Sequence, residues 1–491
     1  MSDFIDMKDV SKIKKNKKLN ISLNRKTLIT GILTGTCALI VVLLGSFLIF
    51  TGVRASQYKK LTQASELTEQ QQESLSLLMK QNYPERYALL KPLPYNLANP
   101  ELNVGAAAAI LVDASNGNVI YEKKADKRIP PASMTKLFTM YIVDEEVAQG
   151  RLHYDDVIPL PQECLACNMP PHSSLMFLGK DQVVTLEELL LGLSICSGND
   201  AAYAIAYTVS GSMDAFVEKM NETARSLGLE YTHFVESSGY SENNVTTARE
   251  MAAFCRVYLQ KHPDSLAKFH SVKSFTYPKP QNMAPGDKYG PQDFTSGLPE
   301  HITMGITQEN TNPLLGKLEG CDGLKTGYID ESGYNLALTA IRNGTRFLSV
   351  TMGGRGANAR EGQANRVKDG TELMDFAFGS FADLQKPEQV KPYFTKVYGA
   401  QEMAVNLVPA FDIETVCVPY VTGNSIADNL SQVQVFVDLP ESLTGPVEMG
   451  QVYGSIKITL SNYILDEIPL VADRSLGRNK GFKSMADKLL D

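Results

Sequence analysis

Between Leu28 and Val53 the chain carries no charged residue. A helix of that length would span roughly 39 Å at 1.5 Å per residue, whereas the hydrocarbon core of a bilayer is only about 30 Å thick. The run therefore predicts a transmembrane helix over 28–53, behind a basic tail at 1–27. Lys12, Lys14, Lys15, Lys17, Lys18, Arg25 and Lys26 precede it, and a flank of this kind keeps the N-terminus in the cytoplasm. The alternative is a cleaved signal peptide, with Val53-Arg54-Ala55 as a weak site, but its apolar region normally runs about 7–15 residues. Residues 1–26 hold eight Lys/Arg against three Asp, a net of +5, so within a total of −8 the remainder carries −13. An acidic body without a basic cluster argues against nucleic acid as a partner.

The stretch Ile129–Gly150, reading IPPASMTKLFTMYIVDEEVAQG, is the most informative part of that body. Two prolines enforce an extended entry. Met134, Leu137, Phe138, Tyr141 and Ile142 then recur at helical intervals, with Gly150 as a stop. Ser133 falls at the first turn and Lys136 one turn on, on the same face. A hydroxyl beside an amine is one way to activate a serine nucleophile without histidine. The spacing alone is not selective, because Ser11/Lys14, Ser56/Lys59 and Ser265/Lys268 share it. Ser133 is set apart by its apolar support and by two later triplets, Ser197-Gly198-Asn199 and Lys325-Thr326-Gly327.

SxxK, S-x-N and KTG in this order resemble the penicillin-binding and serine β-lactamase superfamily. The flanking text, PASMTKL, SGNDAA, DGLKTGY, SGYNLA and MGGRGANARE, is most similar to the serine D-Ala-D-Ala carboxypeptidases, the low-molecular-weight penicillin-binding proteins. The resemblance covers about 106–472. It implies an α/β fold: a β-lactamase/transpeptidase-like catalytic domain, antiparallel sheet with a helical subdomain, followed by a small C-terminal β-sandwich. The expected boundaries are a stalk at 54–104, the catalytic domain at 105–386, the β-sandwich at 387–476 and a polar tail at 477–491.

Local patterns agree with that outline. Ala107–Asp113 suits a central strand, and Ser115-Asn116-Gly117 a turn into the next. Thr185 and Glu188 have capping-box spacing, and Ser212 and Thr247 are candidate caps for two further helices. Three strands are expected around KTG, the last two joined by Asn343-Gly344. The long polar segment from Pro278 to Asn310 is a candidate rim for a cleft. Residues 54–102, rich in Gln, Glu, Lys and Ser, read as a partly helical stalk; their leucines hold no heptad, which argues against a coiled coil. Cys164 and Cys167 form a CxxC that is either a pair of incidental thiols or a local disulfide; a zinc site would need ligands the neighbourhood does not supply.

Acyl transfer by Ser133 needs a base. A free lysine, with pKa about 10.4, is neutral only about once in two thousand at pH 7. Burial and a nearby cation, for which Lys325 is the candidate, would both lower that value. The resemblance implies that Ser197 passes the proton to the leaving amine, and that Asn199 orients Lys136 and binds the substrate amide. It implies that Lys325 and Thr326 meet a terminal carboxylate, that Gly327 keeps the strand open, and that backbone N–H groups at Ser133 and Tyr328 form the oxyanion hole. Arg360 matches an arginine that the family places near the carboxylate; a surface position is the alternative. No metal or other cofactor is implied. The expected partners are peptidoglycan stem peptides ending in D-Ala-D-Ala, β-lactams as inhibitors, and the membrane. A D,D-endopeptidase and a silent envelope scaffold are the competing readings.

Overall fold

The computed structural model describes residues 25–97, 100–420 and 426–491. Lys12 to Lys18, and with them the charge argument for orientation, lie outside the described residues. The apolar run forms the helix Arg25–Lys60, 36 residues long, with apolar side chains such as Leu33, Val41 and Leu48 exposed on every face. Such a helix is long and apolar enough to cross a membrane. The hydroxyls of Thr30, Thr34 and Thr51 bond back to carbonyls one turn earlier, leaving few polar groups unsatisfied for lipid to meet.

The helix runs past the expected end at Val53 because its charged continuation is paired. Arg54 donates to Asp487 at 2.6 Å, with the two side chains 8% and 0% exposed. The Tyr58 hydroxyl bonds the Val397 carbonyl at 2.9 Å. Asp487 belongs to the short helix Phe482–Lys488 in what was expected to be a polar tail, and the Phe482 ring lies 5.7 Å from that of Phe47.

The segment expected as a stalk is instead a strap along the body. Thr68 and Gln71 form a capping box that starts the helix Glu69–Asn82. Met79 on that helix is buried in the core of the C-terminal β domain, with Leu75 and Leu78 against the same core. Arg474 donates to the Ser65 carbonyl at 2.6 Å. Farther on, Lys91–Pro92 joins the main sheet beside Asn118–Lys123, and the Tyr95 hydroxyl reaches the Cys417 carbonyl at 2.8 Å.

The main sheet has the spatial order Lys91–Pro92, Asn118–Lys123, Ala108–Asp113, Thr345–Gly354, Gly333–Arg342, Cys321–Ile329. All pairings but the first are antiparallel. Ala108–Asp113 is buried throughout, as an apolar strand in a sheet covered on both faces should be. Asn343 and Gly344 both take positive φ, 51° and 82°, as a two-residue hairpin turn requires. Cys321–Ile329 is left at the edge, with one side unpaired among the described residues. Ala359–Ser380 covers one face of the sheet, and a helical layer centred on Lys136–Ala148 and Ala248–Lys261 covers the other. Phe138 stacks on Phe254 at 3.6 Å in that layer; truncating a buried phenylalanine of this kind to alanine costs about 3–5 kcal/mol.

The C-terminal β domain is a six-stranded sheet, with Phe381–Gln385 and Thr415–Pro419 forming a separate two-stranded ladder. Ile456, Ile458 and Leu460 alternate into its core as the sequence pattern requires. The segment from Pro278 to Asn310 does not line the cleft described below. The strand just before it, Ser274–Tyr277, pairs with Ile306–Glu309 near its far end. Its middle buttresses a neighbouring loop: Lys180 N–H bonds the Glu300 carbonyl at 2.7 Å, and Gln182 bonds that of Ile302 at 2.8 Å. Cys164 and Cys167 are unbridged thiols, and Cys164 donates to the Pro161 carbonyl.

Candidate active site

Ser133 sits in a tight turn, Ala132–Thr135, that feeds the helix Lys136–Ala148. The entry is constrained: Ala132 is fully buried with φ of 51°, a backbone region alanine seldom adopts. Two glycines from distant segments close on the peptide before the serine. A Cβ on Gly239 would come within 1.8 Å of the Ala132 carbonyl oxygen, and one on Gly327 within 2.5 Å of the Pro131 oxygen and 3.2 Å of Ser133 N. The first N–H groups of a helix have no intrahelical acceptor, so the N–H of Ser133 is available in this narrow space.

Lys136 is completely buried. Its Nζ lies 2.8 Å from Asn199 Oδ1, 2.6 Å from the Ser238 carbonyl and 3.2 Å from Ser133 Oγ. The first two partners are pure acceptors. A neutral amine has two N–H donors and one lone pair, so those oxygens take both protons and the lone pair faces the serine hydroxyl. Burial pulls the Lys136 pKa down to about 7, against the opposing pull of Glu236 and Asp200. Of the two causes expected, burial and a nearby cation, burial is the one that lowers it.

Ser197 occupies the bend expected between two helical segments, after the π turn Gly192–Cys196 and just before Asn199–Ser210. Its φ of 57° is strained for a serine and turns its hydroxyl to Lys325 Nζ at 3.0 Å. Asp200, next in line, accepts three backbone N–H groups from Met176, Phe177 and Leu178 and ties the cleft loop down. Lys325 is buried too, and also reaches Thr311 and the Thr326 carbonyl. Its pKa is pushed well below the ordinary lysine value by burial, then by Lys136 and Arg366.

Above this floor opens a cavity of about 570 Å³, lined among others by Ser133, Asn199, Gly239, Tyr240 and Tyr328. His172, on the CxxC loop, lines it as well, although no motif in the sequence marks that residue. The structure thus brings Ser133, Lys136, Ser197, Asn199, Lys325, Thr326, Gly327 and Tyr328 together. Arg360 stays outside. It is exposed in the first turn of Ala359–Ser380 and makes no hydrogen bond or ion pair among the described residues. Arg366, further along the same helix, is 4% exposed and donates to the Gly327 carbonyl at 2.9 Å. Glu236, Ser238 and Arg366 were missed because none belongs to a motif. Asp200 was visible only as the residue after SGN.

A serine at the floor of a cleft, a buried lysine bonded to it and a second lysine on a sheet edge define a serine acyl-transfer enzyme. Residues 95–356 match the family described as D-alanyl-D-alanine carboxypeptidase, and 384–478 match the C-terminal domain of penicillin-binding protein 5. The chain belongs to the D-alanyl-D-alanine carboxypeptidase family. It is 27% identical to the D-alanyl-D-alanine carboxypeptidase DacF of Bacillus subtilis over 78% of this chain and 88% of that one. It is likewise 27% identical to DacA of Escherichia coli, over 78% and 87%. Among solved structures, penicillin-binding protein 5 of Haemophilus influenzae is 28% identical with a TM-score of 0.62, covering 78% of this chain and all of that one.

Proposed function

We propose that this protein removes the terminal D-Ala from peptidoglycan stem peptides ending in D-Ala-D-Ala, through an acyl enzyme on Ser133. The observation that carries the reading is the bonding of Lys136, whose two acceptor partners leave its lone pair for Ser133 Oγ. Ser133 Oγ attacks the carbonyl of the penultimate D-Ala as its proton passes to Lys136. The N–H groups of Ser133 and Tyr328 receive the oxyanion. Ser197, bonded to Lys325, relays a proton to the departing amine, and D-Ala leaves. Water then attacks the ester, the same lysine takes its proton, and Ser133 is restored. Lys325 and Thr326 receive the terminal carboxylate. Arg360 was expected to share that task, and its exposed position favours Lys325 and Thr326 as the pair that carries it. A β-lactam would acylate the same serine.

The apolar helix anchors the enzyme, with the N-terminus in the cytoplasm and the catalytic body on the outer face where stem peptides are found. A silent scaffold has no use for a fully buried lysine held beside a serine, and the intact cluster favours the enzyme. The test is fluorescent penicillin labelling with peptide mapping, alongside release of D-Ala from a synthetic peptide. Label on Ser133 and D-Ala release are expected. Label on Ser56 or Ser265, or no D-Ala release, would overturn the proposal.

A further inference from the structure

The strand Cys321–Ile329 is paired on one side only among the described residues, with Gly333–Arg342, and its last peptide units carry Gly327 and Tyr328. Arg366 is 4% exposed, yet its guanidinium has no carboxylate partner among the described residues. It donates to the Gly327 carbonyl at 2.9 Å and to Gln363 at 3.2 Å, while Nε has no partner. The Tyr334 ring lies 5.1 Å away and steadies it by a cation–π contact. Tyr334 is itself set by Gly362, where a Cβ would strike the ring at 1.9 Å. Burying a cation without a counter-charge is costly, and it is tolerated where the charge has a task. Even so, burial lowers the Arg366 pKa only to about 10, so the side chain stays protonated at neutral pH.

The peptide joining Gly327 to Tyr328 is planar and trans, so its C=O and N–H point in opposite directions. Fixing the carbonyl on the helix side fixes the N–H on the cleft side. We infer that Arg366 is a positioning residue: by holding the Gly327 carbonyl it turns the Tyr328 N–H toward the oxyanion formed above Ser133. A charged donor on the carbonyl also polarises the peptide unit and strengthens its N–H as a donor. The charge of Arg366 is also felt at Lys325, whose proton affinity it lowers.

This inference rests on Ser133 being the acylated nucleophile, and the experiment separates the two. The full-length chain is compared as wild type, Arg366→Met, Arg366→Lys and Ser133→Ala. Three quantities are measured: penicillin acylation rate, affinity for a peptide boronic acid whose tetrahedral adduct fills the oxyanion hole, and, in the Ser133→Ala background, affinity for a D-Ala-D-Ala peptide. Loss of an oxyanion donor typically costs about 10²–10³-fold. Arg366→Met should lower acylation by about 10²-fold and boronate affinity in parallel, with peptide affinity changed less than about threefold by the same scale. Arg366→Lys should recover part of both. If Arg366→Met fails to fold, Arg366→Lys decides, since its bond to the carbonyl is weaker and both readouts should fall together. Unchanged acylation and boronate affinity in a folded variant, or a loss confined to peptide affinity, would overturn the inference. Acylation that persists in Ser133→Ala would overturn the underlying reading instead.

Discussion

Nζ of Lys136 and the backbone carbonyl of Ser238 are 2.6 Å apart, the shortest of the three bonds the amine makes. That carbonyl is held by a carboxylate: Glu236 accepts from Ser238 N–H and Oγ, from Gly239 N–H and from Asn244. One buried acid therefore fixes the loop that aims the lysine and also, through its charge, favours the ammonium form.

The pH profile of acylation follows. With Lys136 near 7 and needed as the free amine, the rate should fall tenfold per pH unit below about 7. Glu236→Gln keeps much of the shape and removes a charge that holds the proton on Lys136. The acid limb should then move to lower pH, because losing a nearby anion lowers the affinity of an amine for its proton. Acylation rate against pH for wild type and Glu236→Gln checks this; a limb that stays put or moves upward contradicts it. Lys136→Arg should be inactive throughout, since arginine does not give up its proton.

The two glycines flanking the nucleophile should tolerate no side chain. At Gly239 the added carbon meets backbone at 1.8 Å, and φ of 82° already disfavours other residues. At Gly327 the clash is with the Pro131 oxygen at 2.5 Å. Either clash is relieved only by moving the Ser133 turn, and displacement of about 1 Å at a reacting centre can cost about 10²-fold in rate. Gly327→Ala and Gly239→Ala should each lower acylation by about that factor. Gly150→Ala, where nothing lies within 4 Å of the new carbon, should leave the rate within twofold and show only the mild strain of positive φ. Acylation rates of the purified variants test the contrast.

Much of this site could be read from the sequence, and the reason is local. SxxK, SGN and KTG each place a reactive group within one turn or one strand, so short spacing carries the geometry. The residues that tune them act from a distance through backbone atoms. Arg366 touches a glycine carbonyl, Glu236 a run of N–H groups, and neither leaves a pattern in the text. The strap was misread for a related reason. Leu75, Leu78 and Met79 lie on one helical face at three- and four-residue spacing, which is enough to dock a helix though not to build a coiled coil. Arg54 looked like the end of an apolar run, because the acid that pairs with it lies 433 residues away.

That pairing carries its own prediction. Removing one member of a buried ion pair typically costs about 3–5 kcal/mol, since the other is left uncompensated. Asp487→Asn should undock the helix Phe482–Lys488 from the end of the apolar helix while leaving the catalytic core folded. Trypsin in membranes should then cut after Lys483 well before the wild type, with penicillin acylation unchanged. Equal cleavage rates would mean that the pair does not hold the tail.

Lys325 supplies the most direct electrostatic test. Burial, Lys136 and Arg366 all depress its proton affinity in the free site. A substrate carboxylate arriving beside it reverses part of that effect, because an opposite charge favours the ammonium form. Its pKa should therefore rise on binding, and between the free and bound values each binding event should take up protons from solvent. The Ser133→Ala variant allows this to be measured without turnover. Titration of a D-Ala-D-Ala peptide in buffers of different ionisation enthalpy should give a binding heat that varies with buffer, with the sign of proton uptake at neutral pH. Adding Lys325→Ala should abolish the buffer dependence and weaken binding by roughly tenfold or more, the cost of an ion pair hydrogen-bonded in a buried site. Lys325→Arg should keep binding in part and lose the uptake, because arginine is protonated in both states. Heat independent of buffer in the Ser133→Ala protein would mean that Lys325 is already charged before the carboxylate arrives, and would remove proton uptake from the binding step.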